Sequence, residues 1–152
     1  MSSSTSFIVV VGFDGSRDSQ AALEWGAEEA RQRSGELRLI TAWTKQPMSW
    51  YPAVMETAVG GIAVADSPEE DASTIQAKAL KSLEEKGIPA TGQVIHSHSA
   101  AAAILDAAAE ADLVVVGSRG HGGFTGLHVG SVTTHVVNHA PAPVLVVRPK
   151  AS

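Results

Sequence analysis

The sequence predicts an α/β fold, an open doubly wound five-stranded parallel sheet with helices on both faces. Three observations carry that prediction. Short β-branched runs alternate with segments of helical periodicity along the whole chain, the pattern of parallel strands joined by right-handed crossovers. The runs are apolar without interruption, as in Phe-Ile-Val-Val-Val at 7–11 and Val-Val-Val at 114–116, which suits strands covered on both faces. Helix start and stop signals fall between them.

The first strand, 7–11, ends at Gly12. Ser16 then caps a helix in which Ala22, Trp25, Gly26 and Ala30 recur at helical spacing until Ser34-Gly35 stops it, and its small residues allow close packing on a sheet. Residues 36–43 alternate and then turn apolar, which reads as the second strand. Ser67-Pro68-Glu69-Glu70 combines a capping serine, a proline at the first helical position and a glutamate at the capping-box position, ahead of Ile75, Ala79 and Leu83. Gly87 and Pro89 end that helix. The third strand is expected at 91–96, followed by an alanine-rich helix capped by Ser99 that turns Ile104, Leu105 and Ala108 to the core. A fourth strand at 112–117, a helix at about 129–139 and a fifth strand at 143–148 complete the series. Residues 44–66 are too long for an idle connection. With Trp50, Tyr51 and Gly60-Gly61, they read as a surface loop packed by its own aromatics, the alternative being a lid over a ligand.

Residues 7–150 are expected to form one domain behind a short mobile tail, 1–6, with no basic residue or apolar run to make it a targeting segment. With 44% hydrophobic and 18% charged residues, the composition is globular. The apolar runs fall far short of a membrane span. A formal charge of −5 without a basic stripe argues against nucleic acid as a partner. The absence of cysteine removes disulfides, thiolate nucleophiles and thiolate metal sites, and suits a cytoplasmic protein.

Chemistry concentrates at 116–131, Val-Gly-Ser-Arg-Gly-His-Gly-Gly-Phe-Thr-Gly-Leu-His-Val-Gly-Ser. Its glycines fall where a buried strand gives way to a helix. Residues without a Cβ let successive N–H groups point into one concavity, and the helix start at Gly130 and Ser131 adds the positive end of a dipole. Both favour an anion such as a nucleotide phosphate, which Arg119 and the Ser131 hydroxyl can assist. A P-loop is excluded, since no lysine lies between Lys86 and Lys150. A dinucleotide fingerprint also fails: the first strand is followed by Gly12-Phe13-Asp14-Gly15-Ser16, and counting from Gly120 the third glycine position is Thr125.

What the loop does satisfy is Gly117, two residues, Gly120, nine residues, then Gly130-Ser131, and this resembles the ATP-binding signature of the universal stress protein family. The likeness extends to Gly12-x-Asp14-Gly15-Ser16 at one end and His-Ala-Pro-Ala-Pro-Val-Leu-Val-Val-Arg at 139–148 at the other. The resemblance implies a strand order of 3-2-1-4-5 and a nucleotide-dependent regulatory switch or sensor of the stress response. By it, Gly117, Gly120, Gly130 and Ser131 hold phosphates and ribose, helped by Val132 and by the amides of the loop, Val116, Arg119, His121, Gly122 and Gly123 included. Asp14, beside Gly12, meets the adenosine portion, and Ala42 lines the adenine pocket. The cofactor implied is ATP, with any Mg2+ carried by the phosphates. A homodimer through the apolar edge strand Val144–Val147 is implied too, with an unknown regulatory protein as a further partner. Two places depart from the family: His96-Ser97-His98 stands where glycine and a small or acidic residue are common, and the segment after Thr44 carries no transferable role.

The histidine pairs His96/His98 and His135/His139 invite a metal reading, but neither has a third ligand nearby in sequence, and they are read as satisfied or solvated. The loop offers Arg119, His121 and His128 with Asp14 opposite, which is no machinery for rapid catalysis. The readings left open are a nucleotide-binding regulator, a slow ATP-hydrolysing enzyme and an interaction module whose pocket has become structural.

Overall fold

The computed structural model describes residues 6–44, 67–119 and 129–150. The elements run β1 (Ile8–Gly12), α1 (Arg17–Gln32), β2 (Glu36–Trp43), α2 (Pro68–Glu85), β3 (Ala90–His96), α3 (Ala100–Ala108), β4 (Leu113–Gly117), α4 (Ser131–His139) and β5 (Val144–Val147). The sheet has five strands, all parallel, in the order β3-β2-β1-β4-β5, as the resemblance implied.

Alternate side chains of the central strands serve two separate cores. Val9, Val11, Leu37, Leu39 and Val115 pack under α1 and α2 against Ala22, Leu23, Ala27, Ala79 and Leu83. Val10, Ile40, Val114 and Val116 face the opposite way, under α3 and α4, against Ala101, Ile104, Ala108 and Val136. The unbroken valine runs follow from this, because a strand with apolar neighbours above and below has no position for a polar side chain. β3 reads more weakly because it lies at an edge, where four of its seven residues are exposed.

Three predicted caps are made. Ser16 accepts from the Ser19 amide, Ser67 from Glu70 and Ser99 from Ala102, each taking one of the amides that a helix start leaves without an intrahelical acceptor. The first strand begins one residue later than the apolar run suggests. Phe7 lies outside it, packs on the first core beneath the Arg33 guanidinium, 4.6 Å from its ring centroid, and offers its carbonyl to the Glu36 amide. The tail 1–5, the long segment 45–66 and its aromatics Trp50 and Tyr51 lie outside the described residues. No helix among the described residues is long and apolar enough to cross a membrane.

Candidate functional site

β1 is the strand from which the sheet grows in both directions, with β2 on one side and β4 on the other. Ligands of open parallel sheets bind beyond the strand C-termini at such a reversal. Most of the predicted residues gather at that end: Gly12 ends β1, Ala42 is next to last in β2, Val116 and Gly117 end β4, Gly130 caps α4, and Ser131 and Val132 open it. Gly120, His121, Gly122, Gly123 and His128 lie outside the described residues. Val116 is 3% exposed and its side chain belongs to the second core, so only its backbone can meet a ligand.

The turn from β1 into α1 is closed by its own groups. Asp14 Oδ1 accepts from the Ser16 amide at 2.9 Å, and the Asp14 amide donates to Ser19 Oγ at 3.3 Å. Ser19 Oγ donates in turn to the Ser16 carbonyl. Gly15 sits at φ +82°, the left-handed region that glycine takes without strain. Asp14 therefore shapes this turn.

The two described ends of the β4 to α4 connection are tied together and to α1. The Gly130 amide donates to the Ser118 carbonyl at 2.7 Å, and the Thr133 hydroxyl to the Gly117 carbonyl at 2.6 Å. Asp18, in the first turn of α1, reaches across: its Oδ2 accepts from Ser118 Oγ at 2.6 Å and from the Arg119 amide at 3.0 Å. The Arg119 side chain is exposed. Gly117 is required by this contact, because a Cβ there would stand 2.7–2.8 Å from Asp18 backbone atoms. Among the described residues, a Cβ on Gly130 would meet nothing nearer than 3.5 Å, an ordinary contact.

The start of α4 is the open feature of this end. Gly130 provides no side-chain cap, and the first intrahelical bond is from the Thr134 amide to the Gly130 carbonyl. The amides of Ser131, Val132 and Thr133 precede it and have no intrahelical acceptor. Together with the helix dipole they make a donor set that fits an oxyanion such as phosphate.

Asp18, Ser118 and Thr133 are absent from the sequence-based set, although all three are buried polar residues. Thr133 had a detectable signal: it shares a face of α4 with buried Val136, three residues on. Asp18 had only its place in the first turn of a helix that starts at the reversal point. A charge effect lies elsewhere, on the exposed face of α1, where hydrogen bonds from Arg31 and then Gln32 hold the Glu28 carboxyl down to about 2.

The described histidines lie on or just past β3 and on α4. His96 ends β3 and stacks on Trp43 with ring centroids 4.4 Å apart, while His98 lies past the strand, with Nδ1 3.2 Å from Thr44 Oγ1. His135 and His139 stack at 4.4 Å on α4. Among the described residues no three His, Cys, Asp or Glu side chains gather as a metal-holding group.

Comparison with known proteins agrees with this architecture. The model of the universal stress protein family matches residues 7–148. Universal stress protein Rv1996 of Mycobacterium tuberculosis is 35% identical over 141 residues, which take in 92% of this chain and 43% of the relative, so the chain spans less than half the length of that curated protein. Among solved structures, universal stress protein UspA from Lactobacillus plantarum superposes with a TM-score of 0.71 at 22% identity, covering 96% of this chain and 100% of that one. A universal stress protein in complex with cAMP gives 0.64 at 25% identity, covering 97% and 100%. One from Archaeoglobus fulgidus in complex with dAMP gives 0.67 at 21%, covering 93% and 97%. The family match across nearly the whole chain, on a fold with the expected strand order, means that this chain belongs to the universal stress protein family.

Proposed function

We propose that the chain is an adenine-nucleotide-binding regulator, with ATP as its principal ligand, whose bound and empty states are read by a partner protein in the cytoplasm during stress. The observation that carries this reading is the uncapped start of α4 beside the C-terminal end of β4, where three amides and a helix dipole converge. The spacing of Gly117, Gly120, Gly130 and Ser131 supports it, and so does the presence of cAMP and dAMP in complexes of similar proteins.

In this reading the Ser131 and Val132 amides and the loop after Gly117 take the phosphates. The adenosine end lies toward Asp14, Gly12 and Ala42. Any Mg2+ arrives with the triphosphate and keeps several waters. Turnover is slow at most in this reading, since among the described residues no three His, Cys, Asp or Glu side chains gather to fix a metal beside a general base.

β5 supports a homodimer. It is the outer strand beside β4, it is short and apolar, and Val144, Leu145 and Val146 are only half-buried. An exposed apolar edge invites pairing, and pairing with its own copy across a two-fold closes it. Val146→Pro removes a backbone donor there and is expected to shift the molar mass by light scattering from dimer toward monomer at low micromolar concentration. An unchanged mass would remove β5 from the interface.

Chromatography of nucleotide released on denaturation tests the main proposal, with Gly130→Ala as the comparison. A Cβ at that position has ordinary clearance from the described residues, so its effect is read against the ligand. Near-stoichiometric adenine nucleotide in the wild type and loss in Gly130→Ala is the expected result. No nucleotide, even after ATP and Mg2+ are added, would leave the interaction module as the better reading.

A further inference from the structure

The connection between β4 and α4 is held at its ends by a residue from another part of the chain. Asp18 is 8% exposed. One of its carboxylate oxygens accepts two hydrogen bonds from residues a hundred positions later, the Ser118 hydroxyl at 2.6 Å and the Arg119 amide at 3.0 Å. The first distance is that of a charge-assisted O–H···O⁻ bond. A buried carboxylate needs such partners, because without them its desolvation is uncompensated, and its place in the first turn of α1 sets it in the favourable field of that helix dipole.

From Ser118 the constraint passes on. The Ser118 carbonyl receives the Gly130 amide at 2.7 Å, and Gly130 is the N-cap of α4. The Thr133 hydroxyl fixes the first turn of α4 to the Gly117 carbonyl. A chain of hydrogen bonds therefore runs from the first turn of α1 through Ser118 and Gly130 to the open amides of α4. The Arg119 amide, occupied by the carboxylate, is withdrawn from anion binding, so the described donors left for a phosphate are those of Ser131, Val132 and Thr133.

We infer that Asp18 is the positioning residue of the nucleotide site: it holds the start of α4 in register with the β1 to α1 turn, so that the two halves of the site face one ligand. The inference rests on the nucleotide-binding reading, yet its structural part can be read without nucleotide. Carboxylate is suited to the role because a single oxygen serves both donors, and because displacing either donor leaves a buried charge short of a partner.

Asp18→Ala, Asp18→Asn and Ser118→Ala test it through two readouts, hydrogen exchange of the Arg119 amide in nucleotide-free protein and ATP affinity by calorimetry. Asn keeps an acceptor oxygen at the same place, whereas Ala removes both bonds. Asp18→Ala is expected to speed exchange at Arg119 and weaken ATP binding by about tenfold or more, with Asp18→Asn recovering most of both. Should Asp18→Ala fail to fold, Ser118→Ala, which removes one bond of the chain, is expected to weaken ATP binding on its own. Unchanged exchange and affinity in Asp18→Ala would overturn the inference, as would Asp18→Asn behaving no better than Asp18→Ala. A wild type that ignores ATP while Arg119 exchange still follows residue 18 would retain the hydrogen-bonded chain and defeat the nucleotide reading instead.

Discussion

Both β1 and β4 end at the same edge of the sheet and both hand over to a helix, but through connections of different kinds. From Gly12 to Arg17 the chain turns within residues 13–16, and the amide of Ser16, the hydroxyl of Ser19 and the cap of α1 are consumed locally. From Gly117 to Ser131 it takes residues 118–130, ends on a glycine without a capping side chain, and borrows a carboxylate from α1 for anchorage. A junction that satisfies its own donors contributes stability and has few left for a ligand. One that leaves the amides of a helix start open keeps them for an anion and needs support from outside. The contrast lies in who accepts those amides: Ser16 in one case, no side chain of the N-cap residue in the other.

If the contrast holds, small changes at the two junctions have separable effects on stability and affinity. Gly117→Ala should have the largest effect on folding. The added methyl would stand 2.7–2.8 Å from the backbone of Asp18, a neighbour that cannot rotate away, so α1 and β4 must part at a cost of about 1–3 kcal/mol. Urea denaturation measures this, and Gly130→Ala serves as the reference at below about 1 kcal/mol. Equal losses in the two variants would mean that Gly117 is not held by the approach of α1.

Ser16→Ala comes next, at about 1 kcal/mol for a lost cap. Its hydroxyl takes the Ser19 amide at 3.2 Å in a buried turn, while the Asp14 carboxylate bonds the backbone of residue 16 and keeps that bond in the variant. Denaturation should therefore show the loss, with ATP affinity held within about threefold. An affinity that falls much further than stability would place the closed turn among the ligand's contacts and blur the distinction between the junctions.

The parts of the fold that were legible are those whose causes are local. Ser16, Ser67 and Ser99 each cap the helix that follows, because a cap is a bond across three residues. The bounds of β2 agree with its alternation, and the strand order came with the family resemblance carried by the glycine spacing and the two chain ends. Asp18 was not legible, and the helical spacing of Thr133 with Val136 gives its face but not its bond. A polar residue in a helix is read as facing solvent, and here the acceptors and donors that make burial possible stand 100 and 16 positions away. The sequence places Gly117 among the glycines that let the backbone meet a ligand, and the structure adds a second close neighbour, the first turn of α1. A glycine says that something approaches the backbone; which group does so depends on contacts that local sequence does not encode.

Gly130→Asp has the smallest expected effect on folding and the clearest sign. Gly130 has φ −78° and ψ 168°, extended backbone that any residue adopts, and a Cβ there stands 3.5 Å from its nearest described neighbours. An aspartate at an N-cap accepts from the amides of the first turn and complements the dipole, so α4 should gain a few tenths of a kcal/mol over glycine. The same carboxylate would occupy the donors left open for phosphate and repel it. Stability rising slightly while ATP affinity falls by about tenfold or more would show that the open helix start is kept at some expense of folding free energy. Affinity that survives a carboxylate at residue 130 would locate the phosphates away from α4, and the difference between the two junctions would then be one of connection length alone.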